Sequence, residues 1–158
     1  CFDTTILSNS GSDERAFRAA SDLILCGARI QDVIHTIFQN RSVCALRLWG
    51  AALERLYKDP VHGFLSTFLT RGDIEGNGVT DEEADGLSDF LNLVTDADTL
   101  FVLRETADGG VKVSMRSHRH NVARIAKSFG GGGHVKAAGF TVSKARIVCD
   151  TNGCWKVL

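Results

Sequence analysis

The sequence predicts an α/β fold: helices and a helical linker, followed by a small mixed β-sheet domain with helices packed on it. Three observations predict it. Apolar residues recur at helical spacing up to the only proline, Pro60. Beyond it, strand and helix patterns follow in the order β, α, β, β, α, β. Apolar residues make up 44% of 158, enough to bury a core.

The opening "CFDTTIL" reads as a strand. A helix follows over "SGSDERAFRAASDLILCGA", with Ser12 as cap, Asp13 and Glu14 at its positive end and Gly27 as its stop. Phe17, Ala20, Leu23 and Ile24 fall on one side of it. A second helix, about residues 30 to 39, repeats the spacing with Val33, Ile34, Ile37 and Phe38. The third, Val43 to Lys58, carries Leu46, Trp49, Leu53 and Leu56 and stops at Asp59-Pro60. "HGFLSTFLT" is a strand bounded by Gly63 and by "RGDIEGNG". "TDEEADGLSDFLNLV" is one helix, begun by a Thr80–Glu83 capping box. Strands at Thr99 to Arg104 and Val111 to Ser117 are joined by the turn signal "DGG". "HNVARIAKSF" is a short helix that the glycines end, and "GFTV" is a strand. "ARIVCD" and "CWKVL" form a hairpin around Asn152-Gly153. The helices are expected on one face of the sheet.

No apolar run approaches the roughly 20 residues of a membrane span, and nothing reads as a signal peptide, so a cytoplasmic protein is expected. The five cysteines are odd in number and lack the paired spacing of zinc sites, which points to reduced thiols. Cys26 and Cys44 lie in apolar helical patterns and read as core residues, while Cys149 and Cys154 are neighbours across the last hairpin. Net charge is −1, but residues 1 to 103 carry 8 basic against 16 acidic residues and residues 104 to 158 carry 10 against 3. The second part, at +7, suits a polyanion, or else docks on the acidic part of the same chain.

"SFGGGGHVKAAGF", Ser128 to Phe140, carries the chemistry. Successive glycines let backbone N–H groups approach an anion with no side chain in the way. The alternative is a helix stop followed by a loop. The glycines follow a helix and lack a Lys-Ser/Thr pair, which excludes a Walker loop and a dinucleotide fingerprint. His134, beside Lys136, supplies a ring donor for a phosphate or ribose, or else sits in the core. In "SMRSHRH", Ser114 and Arg116 share a strand face if the strand is regular, and Ser117 can add a hydroxyl at its end. His118 and His120 have His-x-His spacing, a weak metal signal with no carboxylate or thiol nearby in sequence. No aromatic stacking platform stands in this stretch, which favours short phosphate-held ligands over long polymers.

"VKVSMRS" and "NVARIAKSFGGGGHVKAAGF" resemble the signature of the DHH phosphoesterase superfamily, specifically its DHH-associated substrate-binding domain, in the nanoRNase and pAp phosphatase branch related to RecJ exonucleases. "LTRGDIEGNGVTDEEADGLSDFLNLVTDADTLFVLRE" is similar to the middle of that branch, and "FDTTILSNS" resembles the end of its catalytic domain, so the resemblance runs to about Val142. It implies two domains facing each other across a cleft. One would hold two manganese ions with aspartates and histidines that activate a water against a phosphoester. The other would hold short oligonucleotides or nucleotides such as pAp. It implies substrate contacts at Arg116, Ser117, Gly131, Gly132, Gly133 and His134, and a metal ligand at Asp3, where Thr5 replaces the family's usual glycine. No Asp-His-His triplet occurs, so this chain by itself is expected not to hydrolyse and to lack bound Mn2+. The organisation implied is a catalytic-domain remnant at 1–42, a linker helix at 43–60 and the substrate domain at 61–158. Helices before residue 42 would lack the sheet they cover, so self-association, a homodimer in the simplest case, is expected. The alternatives are a non-catalytic nucleotide- or RNA-binding module and part of a cyclic dinucleotide phosphodiesterase.

Overall fold

The computed structural model describes residues 13–29, 31–32, 41–94, 97–149 and 155–158. The chain divides into two compact units, residues 1–42 and 43–158.

In the first unit, α1 spans Glu14–Leu25. Its cap is Asp13, whose extended backbone lets Oδ1 accept the N–H of Ala16 at 2.9 Å; Ser12, expected in that role, lies outside the described residues. Gly27 ends the helix at φ +94°. Its N–H and that of Ala28 reach back to Ile24 O and Leu23 O, both at 2.9 Å. No residue of α1 is buried, and Phe17, Leu23, Ile24 and Leu25 are exposed. Cys26 and Cys44 are also exposed, which corrects the expectation that they fill the core: both follow the apolar spacing without lying on a covered side. The opening strand and most of the helix expected over 30–39 fall outside the described residues.

The second unit is built on a six-stranded sheet in the order β1-β2-β3-β4-β6-β5. The strands are β1 Tyr57–Lys58, β2 Leu65–Leu69, β3 Thr99–Glu105, β4 Gly110–Ser117, β5 Gly132–His134 and β6 Ala137–Ser143. Only β2 and β3 run parallel; every other neighbouring pair is antiparallel. A second, two-stranded sheet pairs β7 Ile147–Cys149 with β8 Trp155–Val157, while Cys154 and the turn at Asn152-Gly153 lie outside the described residues.

The helix that begins at Val43 ends at Glu54, short of the predicted Lys58, because Tyr57 and Lys58 are drawn into pairing with Ser66 and Leu65. This helix, α2, buries Ala45, Leu48 and Ala52. The parallel crossover from β2 to β3 contains three short helices where one was predicted. The first, α3 (Arg71–Gly76), starts in the stretch read as a boundary. Thr70 caps it and Asp73 closes the capping box, a signal legible as Thr-x-x-Asp. The predicted 80–94 helix is split into α4 (Asp81–Ala84) and α5 (Leu87–Val94). Asp85 leaves the helix with extended backbone and Gly86 turns the chain at φ +94°. The last helix, α6 (Val122–Ser128), follows β4 and is capped by Asn121.

The helices cover both faces, not one. Strand side chains alternate, so residues paired across the sheet share a face. On one face Leu69, Leu100 and Val102 pack with Leu48, Ile74, Leu87 and Leu91 of α2 to α5. On the other Leu103, Val113, Met115 and Ala138 pack with Val122, Ala123 and Ala126 of α6 and with Ile147 of β7. Each fully buried leucine or methionine contributes about 1.5 to 3 kcal/mol. On the first face α2 packs on β2 and α5 packs on β3 and β4, whereas α6, the helix that packs on β6 and β5, does so from the other face. Along β4 the alternation is plain: Val111, Val113, Met115 and Ser117 are buried, whereas Lys112, Ser114 and Arg116 are only half-buried. Among the described residues, the first face of β6 and β5 is left open, bordered by the half-buried Lys112, Ser114 and Arg116 of β4.

Candidate functional site

Of the predicted site residues, that face carries Arg116, Gly132 and His134. Register puts Arg116 opposite Ala137 and Ala137 opposite His134; the next rung is Ser114, Gly139 and Gly132. A floor of small residues therefore lies between an arginine on β4 and a histidine on the sheet's edge. Two strand spacings separate the backbones of Arg116 and His134, roughly 10 Å. All three residues of β5 are exposed.

Arg116 is fixed in place. Its Nε donates to Asp89 Oδ1 on α5 at 2.9 Å, its Nη2 stands 2.9 Å from the same oxygen, and its Nη1 donates to the Met115 carbonyl at 3.0 Å. Farther along, Lys112 meets Asp85 at 3.2 Å, and Arg104 stands 2.7 Å from Asp81 and 3.3 Å from Asp85. The acidic helices thus edge the basic strands with carboxylates.

Ser117 is adjacent to Arg116 and therefore faces the opposite way. It is 3% exposed, and its hydroxyl donates to the Asp98 carbonyl at 2.7 Å. The same oxygen accepts the N–H groups of His120 at 2.8 Å and Arg119 at 3.2 Å. It lies 3.1 Å from Thr99 Oγ1, which also meets His120 Nδ1 at 3.0 Å. Ser117 thereby shapes the turn after β4 that carries His118, Arg119 and His120, all exposed. Lys136 adds a cation there, its Nζ donating to the His118 carbonyl at 2.5 Å. His120 is occupied by a hydroxyl, and among the described residues no group of three or more His, Cys, Asp or Glu could hold a metal ion. Asp3, the expected metal ligand, lies outside those residues.

The four glycines have separate reasons to be glycine. Gly130 takes φ +75° and ends α6, its N–H bonding Lys127 O at 3.1 Å while that of Gly131 bonds Ala126 O at 2.8 Å. A Cβ on Gly131 would lie 2.2 Å from Gly139 O and 2.5 Å from Phe140 Cβ. On Gly133 it would lie 2.6 Å from Ala137 O and Ala138 Cα, and φ there is +136°. Gly132 differs: nothing lies within 4 Å of where its Cβ would be, and its φ is not positive. The helix stop that one sequence reading expects is therefore present. The run stops a helix at Gly130 and then becomes an edge strand rather than a loop.

A family model described as the DHHA1 domain matches residues 63–148, more than half of the chain. The chain belongs to the DHHA1 family. The DHH-associated domain inferred from the glycine and "RS" signatures is thus the domain this chain carries, and its match includes β2 to β6 and the start of β7. A crystal structure of an exopolyphosphatase-related protein from Bacteroides fragilis is similar at a TM-score of 0.76 and 22% identity, covering 88% of this chain and 41% of that one. The DHHA1 chain therefore spans less than half the length of that relative, and at this identity the likeness speaks to fold. A pGpG-specific phosphodiesterase from Vibrio cholerae is similar at a TM-score of 0.40 and 9% identity, covering 63% of this chain and 33% of that one. An uncharacterized protein from Helicobacter pylori G27 stands at 0.34 and 20%, covering 62% and 25%. Among the described residues no helix is long and apolar enough to cross a membrane.

Proposed function

We propose that the open face of β6 and β5, with the β4 residues that border it, is the substrate-binding surface of a manganese-dependent phosphoesterase that acts on short oligonucleotides or on pAp. The observation that carries this reading is Gly132. Gly130 is glycine for its backbone angle, and Gly131 and Gly133 for the strand packed against them; the fold makes no such demand of Gly132. A bare, exposed residue facing a basic rung is what a ligand lying against the backbone requires. In this reading Arg116 directs its remaining N–H groups at a phosphate, His134 adds a ring donor from the edge, and Ser117 acts through the turn it shapes. Manganese would supply the activated water. The described residues do not form a set that fits it, so it would be held by catalytic-domain residues outside them.

A fluorescent 5′-phosphorylated dinucleotide, followed by anisotropy, tests the reading. Saturable binding is expected, and Arg116→Ala should weaken it by about 1.5 to 3 kcal/mol, the range for a charged hydrogen bond. His134→Ala should weaken it too. Gly132→Val should abolish it and leave the thermal midpoint near that of the wild type, since open space surrounds that position. Binding unchanged in Gly132→Val would overturn the reading. A cyclic dinucleotide and a short polyphosphate run in parallel decide the ligand class. Manganese-supported hydrolysis, measured with the catalytic domain that the family resemblance implies, separates an enzyme from a non-catalytic binding module.

The exposed apolar residues of α1 support self-association. Light scattering should show mass rising with concentration, and a sharp monomer at high concentration would refute it.

A further inference from the structure

We propose that Asp89 is a positioning residue of the ligand face, one that holds the Arg116 guanidinium in the orientation that meets an anion. The proposal rests on the reading of this face as a phosphate site.

Asp89 stands 27 residues before Arg116, on another layer of the fold. It is the third residue of α5, a helix anchored by Leu87 and Leu91, both essentially fully buried. Its carboxylate is therefore delivered by a rigid element. Arg116 Nε and Nη2 converge on one of its oxygens, and Nη1 is tied to the Met115 carbonyl. A guanidinium carries five N–H bonds, so about two remain for a ligand. A free arginine side chain samples many rotamers, and holding it beforehand removes that entropy from the cost of binding.

Stability does not account for the pair. The Arg116 side chain is 21% exposed but that of Asp89 is 47% exposed, and an ion pair with one partner this open contributes little to folding. Steering does not account for it either, because a carboxylate beside the site repels the phosphate that the arginine attracts. The arrangement favours binding only if orientation outweighs that repulsion.

The test uses the full chain, with Asp89→Ala and Asp89→Asn. Asparagine keeps an oxygen to accept from Nε and removes the charge; alanine removes both. Asp89→Ala should bind the 5′-phosphorylated dinucleotide about tenfold more weakly than wild type, despite the lost negative charge. Asp89→Asn should bind as tightly as wild type or more tightly. Without ligand, the Arg116 Nε–H signal in 15N-labelled protein should exchange slowly in wild type and Asp89→Asn and be lost in Asp89→Ala. A merely structural role would not move that signal selectively. Asp89→Ala binding as well as wild type, or better, would overturn the role of Asp89 while the phosphate site stands. No binding by wild type, with the Nε–H signal protected, would instead overturn the phosphate site and the ligand role of Asp89 with it.

Discussion

Gly131→Ala is expected to cost about 3 kcal/mol of stability or more, a large part of what holds a domain of this size together. The added methyl would stand 2.2 Å from the carbonyl oxygen of Gly139 and 2.5 Å from Phe140 Cβ. A backbone carbonyl inside a paired strand cannot swing aside as the end of a flexible side chain can. Relief requires β5 to lift from β6, or Phe140 to leave its stack on Phe129, whose ring centroid lies 4.6 Å away. Gly133→Ala should fall in the same range, because its clash with Ala137 and Ala138 is joined by strain at φ +136°. Gly132→Ala, one residue from each, should change stability by less than about 0.5 kcal/mol. Urea titration followed by circular dichroism checks all three. A soluble Gly131→Ala with a wild-type midpoint would refute the packing described for β5.

Asp73→Ala should cost about 3 kcal/mol, the lower end for breaking a partly buried pair by removing one partner. Asp73 does two jobs. Its carboxylate takes Arg55 through both oxygens, at 2.5 and 2.9 Å, and closes the α3 capping box by accepting the Thr70 N–H at 2.8 Å. Removing it strands Arg55, whose guanidinium lies 4.9 Å from the centre of the Phe68 ring. The pair also predicts a pH dependence. Hydrogen bonding from Arg55, and then from Thr70, holds the Asp73 carboxyl down at about 2, against partial burial that pushes it up; the same bond raises Arg55. A depressed carboxyl stabilises the folded state above its unfolded value, near 4, and that contribution fades as pH falls toward 2. Wild type should therefore lose about 2 kcal/mol more than Asp73→Asn between pH 4 and 2. Parallel acid titrations of the two would refute the assignment.

Much of the fold was legible in local signals. The Thr80–Glu83 box, the "DGG" turn and the glycine at 27 sit where their backbone chemistry requires. The Thr70–Asp73 box was equally legible and would have revealed α3. The break at Asp85-Gly86 was harder to read, because apolar spacing carries across it and only the packing of Leu87 and Leu91 sets the second helix on its own axis. The termination of α2 before Tyr57 depended on a strand partner that arrives eight residues later. Helices on both sheet faces were likewise beyond local pattern, since periodicity shows that a helix has an apolar side but not which surface covers it.

The sequence by itself determined the family and pointed to a candidate site. Four glycines, a histidine and an arginine–serine pair are rare enough together to point there. Only the tertiary structure decided which of those residues share a face. A strand turns neighbouring side chains to opposite faces, so Arg116 and Ser117 part company, and pairing through Ala137 puts Arg116 on one rung with His134. Two of the glycines owe their identity to β6, a strand that follows them in the chain and lies close enough to touch. No local pattern encodes that contact; it exists once the sheet has formed.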